Sequence, residues 1–191
     1  ILLHPRAFEV QVGLVNDRVF LVNASIGLYP ELLEEREQAK RELGRSRWVA
    51  FGAAFATLLR PHRGLRIEVE TKQRREIVVT QALFVGNNRL QLARVGIPEG
   101  ELLERHRLVG VVLRPVGVFG MLGLIVRAVL GRLGEAARVR SFAFEGMTVR
   151  SRFGTQRCKV ATDGEVEWSM SALRFRIAAH PLLLLRPSDP G

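Results

Sequence analysis

Cysteine, tyrosine and lysine are scarce in this chain, and each scarcity closes off a class of explanation. A single cysteine, Cys158, among 191 residues rules out an internal disulfide framework, and without neighbouring ligand spacing it makes no zinc pattern. A reducing, cytoplasmic setting is the simpler expectation. One tyrosine leaves little of the aromatic-basic signature of common RNA-binding modules, so nucleic acid is not expected as a partner. The four histidines, His4, His62, His106 and His180, have no paired helical spacing and no cysteine partners, which argues against zinc. The serine-hydrolase elbow Gly-x-Ser-x-Gly is missing. So is a basic leader followed by an apolar stretch and a small-residue cleavage site; the chain starts at Ile1 and reads as cut from within a longer protein. The most apolar long stretch, 116–131, is shorter than the roughly 20 residues of a membrane-spanning helix and is interrupted by Arg127.

What is present is a hydrophobic fraction of 47%, enough for a substantial core in one large domain, 1–187, followed by a short tail, 188–191. The net charge of +10 comes mostly from arginine, because the only lysines are Lys40, Lys72 and Lys159. Such a surface attracts anionic membranes, nucleotides or nucleic acid without choosing among them, or is simply a solvated basic exterior.

Strands dominate the pattern. The runs 7–15 and 19–24 flank Asn16-Asp17 and read as a hairpin. Pro30 suits a first helical turn, with acids Glu31, Glu34 and Glu35 behind it and Gly44 as the stop, and Ser46 caps a second helix through Leu59 before Pro61. Leu65, Ile67 and Val69 alternate with Arg66, Glu68 and Glu70 as in a half-buried strand, and 76–85 reads as one longer, more buried strand. With Gly96, Pro98 and Gly100, the stretch 87–100 reads as an irregular loop. Strand 107–113, helix 118–133 and strands 138–144, 147–153, 157–162, 173–177 and 182–185 complete the series. Adjacent groups of strands broken by two helical insertions predict a mainly β, α+β chain: an antiparallel β-sandwich.

Acids and bases cluster at two places. Asp163, Glu165 and Glu167 recur at every second position, so an extended segment aims all three carboxylates one way, raising proton affinity unless a cation answers them. A carboxylate so poised can act as a general base; alternatively Asp163-Gly164 is a hairpin turn with solvated acids. Lys40, Arg41, Arg45 and Arg47 could reach phosphate oxygens or merely complement a helix dipole. Trp48, Phe51 and Phe55 recur at helical spacing, as core or as an acyl-chain wall.

The order of these features along the chain resembles the second half of the diacylglycerol kinase catalytic-domain family of lipid kinases, which is similar to sphingosine and ceramide kinases. The landmarks are Phe20-Leu21-Val22-Asn23-Ala24-Ser25-Ile26-Gly27-Leu28, Val85-Gly86-Asn87-Asn88, Asp163-Gly164-Glu165 and the terminal Pro181-Leu182-Leu183-Leu184-Leu185-Arg186-Pro187. The family's nucleotide loop, Gly-Gly-Asp-Gly-Thr, is absent from these residues, so the resemblance implies a C-terminal, substrate-side domain whose N-terminal ATP-binding partner lies elsewhere in the protein. It further implies ATP and magnesium as cofactors and Glu165 as proton acceptor from a lipid hydroxyl. Asp163 would contact the magnesium-nucleotide complex, Gly164 would permit close approach, and Lys40 and Arg41 would be candidate phosphate contacts. The family's structural magnesium segment is degenerate here, with Arg105 at the aspartate position; Glu104 could replace it only after a register shift. The expected partners are a lipid substrate and a peripheral anionic membrane surface, a homodimer being open. The alternative expectation is a non-catalytic lipid-binding or regulatory β-domain derived from the same scaffold.

Overall fold

The computed structural model describes residues 5–34, 64–151, 157–170 and 172–187. The helix expected at 46–59, with Trp48, Phe51 and Phe55, lies outside the described residues, as do Gly44, Lys40, Arg41, Arg45 and Arg47 and the tail 188–191. Among the described residues fourteen strands run in chain order: β1 Pro5–Val10, β2 Gly13–Val15, β3 Arg18–Phe20, β4 Asn23–Gly27, β5 Leu65–Thr71, β6 Arg75–Thr80, β7 Ala82–Gly86, β8 Leu108–Leu113, β9 Val139–Phe144, β10 Gly146–Ser151, β11 Arg157–Thr162, β12 Glu165–Met170, β13 Leu173–Ile177 and β14 Leu182–Pro187. Helices α1, Arg89–Arg94, and α2, Val118–Val129, interrupt them, and residues 28–34 are also helical.

The strands make two six-stranded antiparallel sheets, ordered β3-β2-β13-β10-β5-β6 and β12-β11-β4-β7-β8-β9, and a separate ribbon of β1 with β14. The first two pack face to face. One apolar cluster draws on Phe20, Ile67, Val69 and Phe175 from the first sheet and on Leu83, Val85, Leu108 and Val160 from the second. This is the expected sandwich: on β5, Ile67 and Val69 are buried against the core while Arg66 is exposed, and the intervening Glu68 is also buried, under Arg75 and Arg150, with Leu65 exposed at the strand's start.

The second sheet is also covered on its outer face. Leu92 of α1, Ile97 and Leu103 pack on Val109 and Val111 of β8, and Met121 of α2 packs with Leu28 and Ala82. Burial on both faces is why β7 and β8 read as unbroken apolar runs.

Two glycines sit where an aromatic ring needs the space. A Cβ on Gly13 would lie 2.3 Å from the ring of its cross-strand partner Phe20, and one on Gly110 would lie 2.8 Å from that of Phe142. In each pair the ring covers a bare backbone, an arrangement in which both residue types are required.

The sequence expectations need four corrections. The run 76–85 is two strands in different sheets. At the crossing, the Gln81 amide N–H donates to Leu113 O, its side chain exchanges hydrogen bonds with the Val116 backbone, and its carbonyl accepts from Leu28 N–H. The segment 87–100 is not an irregular loop: Asn88 caps α1 by accepting from Gln91 N–H, and a 3-10 helix follows from Pro98 to Arg105. Helix α2 stops at Val129 rather than Leu133. Gly131, at φ +69°, makes the left-handed turn, with Arg132 N–H bonding Arg127 O and Gly131 N–H bonding Ala128 O. Finally, the runs around Asn16-Asp17 are longer than the hairpin itself. Only β2 and β3 pair there, with Asn16 at φ +54°, while β1 leaves to join β14 and β4 enters the opposite sheet.

Candidate functional site

Three of the sequence landmarks meet at one end of the second sheet. The corner 21–23, which links β3 to β4 across the sandwich, is clamped from both sides. Just past β7, Asn87 N–H donates to Val22 O, and its buried side-chain amide donates to Leu21 O and Gln11 O. From the β11–β12 hairpin, the Asp163 carboxylate accepts Leu21 N–H at 2.6 Å and Val22 and Asn23 N–H at 2.9 Å each. The hairpin adds a fourth tie, Asp163 N–H to Asn23 O.

Asp163 and Gly164 have φ of +49° and +96° and separate the paired residues Thr162 and Glu165. They form a two-residue hairpin loop with both central residues left-handed, the geometry that Asp-Gly favours. Three co-aligned carboxylates are therefore not found. Asp163 turns into the corner, and only Glu165 and Glu167 share a face of β12. The hairpin expectation and the functional one both needed amendment, since the Asp163 carboxylate is bound to backbone rather than merely solvated.

Glu165 and Glu167 stand on the inward side of an edge strand and face Arg18 on β3, the edge of the opposite sheet. Arg18 Nη2 is 2.9 Å from Glu165 Oε2, and its other terminal nitrogen contacts Glu167. This guanidinium is the cation that answers the two acids. Sequence reasoning missed it because it lies 147 residues away from Glu165, and its only local sign is a charge at an inward position of a short strand. Even so, the Glu165 side chain remains 81% exposed, and a Cβ on Gly164 would meet nothing within 4 Å. A large partner can thus approach the rim of this end.

Close to the same end, Gln11 donates to Asn87 Oδ1 at 2.6 Å and lies within hydrogen-bond distance of Arg107 O. Asn23 donates to Gln91 on α1. Glu104 belongs to the 3-10 helix preceding Arg107. Among the described residues no three His, Cys, Asp or Glu side chains are grouped to hold a metal ion, and the Asp163 oxygens are already engaged by three amide donors. The described donor set does not fit magnesium.

The opposite end of the β11–β12 hairpin opens into a cavity of about 370 Å³ lined by Ile26, Leu65, Ile67, Val149, Cys158 and Leu173. Strands of both sheets contribute. Lys159, which also borders it, pairs with Glu34 at 2.5 Å and sits 5.2 Å from the centre of the Trp168 ring. Burial pushes the half-exposed Cys158 thiol above its ordinary pKa. At about 3.3 Å per residue, Arg157 is roughly 17 Å along β11 from Thr162, so the cavity lies toward the open end of the hairpin and Glu165 at its turn.

No protein-family model matches the chain. Solved structures do. One, named a "putative diacylglycerol kinase" from Bacillus anthracis str. Sterne, aligns over 91% of this chain and 54% of its own, with 14% identity and a TM-score of 0.59. A second of the same name and organism covers 91% and 55% at 14% identity and TM-score 0.56. A third, a diacylglycerol kinase from that organism, covers 90% and 51% at 9% identity and TM-score 0.51. The chain thus spans about half the length of the structures it matches. What it shares with these bacterial diacylglycerol kinase structures is the fold of roughly half of such a molecule: a two-sheet antiparallel sandwich with helical insertions.

Proposed function

We propose that this chain is the C-terminal, substrate-side domain of an ATP-dependent lipid kinase that phosphorylates a lipid hydroxyl, diacylglycerol-like or sphingoid-like. The observation that carries the reading is the convergence of 20–28, 85–88 and 163–165 on one end of the second sheet, with Glu165 accessible at its rim. Corner and hairpin are rigidly tied there, so Glu165 is presented from a fixed frame, as a positioned base needs. In this reading the Glu165 carboxylate accepts the proton of the lipid hydroxyl as the hydroxyl oxygen attacks the terminal phosphoryl group of ATP, and ADP leaves. Arg18 orients the carboxylate through its 2.9 Å contact. Asp163 acts as a positioning residue through the corner rather than as a nucleotide contact. ATP would be held by an N-terminal domain of the same protein, with Lys40 and Arg41 as proposed phosphate contacts. Magnesium would arrive with the nucleotide on that N-terminal domain, since the described carboxylates of this chain do not fit it. The protein would act in phospholipid metabolism, in the cytoplasm and against a membrane surface.

The test is Glu165→Gln in the full-length protein, assayed for phosphate transfer from ATP to detergent-dispersed diacylglycerol or sphingosine. Loss of about 100-fold or more in kcat supports the assignment, the range associated with a positioned base, and undiminished turnover sinks it. A second reading draws on a specific observation, the capture of Glu165 and Glu167 by one arginine. In that reading the domain is a non-catalytic lipid-binding module whose acids close the sandwich edge. Lipid binding by the full-length protein without measurable nucleotide binding would favour it.

A further inference from the structure

Helix α2 is apolar on two opposite sides. Met121 and Leu124 face the second sheet and are buried. At 100° per residue the opposite side is formed by Phe119, Leu122, Val126 and Val129 with Leu130, and of these Phe119 is 88% exposed, Val129 82%, Leu130 65% and Val126 57%. The only charged residue in the helix is Arg127. An apolar surface on every side is the mark of a helix enclosed by protein or lipid, yet this one has a free face. Its twelve residues extend roughly 18 Å, too short to cross a bilayer core of about 30 Å.

The surroundings of that face are basic. From Arg105 to Gly134 the sequence contains no aspartate or glutamate. Arg114 precedes α2 and is tied through its N–H to Arg138 O. At the other end, Gly131 abuts the Arg94 carbonyl, where an added Cβ would come within 3.3 Å, which sets the last turn of α1 beside that of α2. Arg94, Arg114, Arg127 and Arg138 are exposed and have no carboxylate partner among the described residues, whereas Arg132 is answered by Glu135 at 2.9 Å. Helix α1 adds Leu90, 80% exposed, one turn from Arg94.

We propose that the outward face of α2, with Leu90, is a membrane-docking surface that lies in the headgroup region of an anionic bilayer. Phe119, Val126 and Val129 enter the acyl boundary while the unpaired arginines engage lipid phosphates. An apolar stripe flanked by guanidinium groups matches an interface that is apolar beneath and anionic above. A second copy of the chain is a poor match, because it would bring the same unpaired arginines together across an isologous contact. The proposal rests on the lipid-directed reading for its purpose, but its test reads binding and not turnover.

The experiment is co-sedimentation of the full-length protein with vesicles of phosphatidylcholine alone and of phosphatidylcholine with phosphatidylglycerol. The expected result is binding to the anionic vesicles that weakens with salt. The pair Phe119→Ser and Val126→Ser should reduce it about tenfold or more, and Phe119→Leu should retain it. The pair Arg114→Gln and Arg127→Gln should reduce it on anionic vesicles only. Ile77→Ser with Val79→Ser, exposed apolar positions on the other sheet, should leave it unchanged. Absence of binding by the wild-type protein, or binding indifferent to Phe119 and Val126 in variants whose melting temperature is unaltered, overturns the proposal. So does a dimer in light scattering that the same pair dissociates. Failure of phosphate transfer alone would sink the catalytic reading and leave the docking surface standing.

Discussion

Replacing Asp163 with alanine separates scaffold from chemistry at the candidate site. The substitution removes three acceptors for the 21–23 corner, at 2.6, 2.9 and 2.9 Å. A hydrogen bond to a charged group contributes about 1.5–3 kcal/mol where it is sheltered. These three are solvent-accessible, and water takes over part of what is lost, so about 1 kcal/mol each is the appropriate scale, or about 3 kcal/mol together. In a domain of this size 1 kcal/mol shifts the melting temperature by about 2–4 °C, so Asp163→Ala should melt about 6–12 °C below wild type by calorimetry. Asp163→Asn, which keeps one acceptor oxygen and turns an NH2 toward the remaining donors, should fall between. Glu165→Gln should stay within about 4 °C, because an exposed ion pair contributes at most about 1 kcal/mol. If Asp163→Ala melts within about 2 °C of wild type, the clamp is not holding the corner. A loss of turnover in that variant would then need a chemical rather than a structural explanation.

Further outcomes follow from other positions. Gly13→Ala forces a methyl into the ring of Phe20, which is fully buried, and should cost about 2 kcal/mol in a urea titration; Gly110→Ala should cost less, because Phe142 is only partly buried and has room to shift. Burial holds the Cys158 thiol neutral beyond the free value of about 8.5, so iodoacetamide should label the folded protein more slowly at pH 8 than the unfolded chain. Because the folded pKa is the higher one, this contribution to stability is full below the free thiol value and is lost as pH rises through the folded value. Glu145 is held below its ordinary pKa first by the hydrogen bond from Lys72 and then by its charge. The associated stability is present above the ordinary glutamate value of about 4.3 and is lost as pH falls through the lowered one. In Lys72→Ala, NMR titration of the Glu145 carboxyl should return upward toward the ordinary value.

The sandwich was legible because its strands advertise themselves locally. Leu65 to Glu70 alternates cleanly, and the Asp163-Gly164 pair names its own turn. The crossing at Gln81 was hidden for a physical reason: 77–79 and 82–85 are apolar on both sides of it, so no change of period marks where the chain passes from one sheet to the other. Helix α1 has six residues, too few for a helical period to stand out among Gly96, Pro98 and Gly100, and its clearest local sign was the Asn88 cap. At the candidate site, the three landmarks announced themselves as motifs, but what joins them is backbone. The amides of 21–23 and the carbonyls of Leu21 and Gln11 have no side-chain signature, and Arg18 acquires meaning only when β3 is laid over β12.

The ribbon of β1 and β14 has a mechanical consequence. Pro5 pairs with Pro187 at one end and Val10 with Leu182 at the other, so tension applied to the two ends of this segment pulls at the Pro5–Pro187 end and opens the ribbon one rung at a time, like a zip. The two large sheets, whose many rungs are not reached along that path, would feel the pull only after the last rung at Val10 and Leu182 had parted. Under force, the ribbon is a fuse placed ahead of the sandwich.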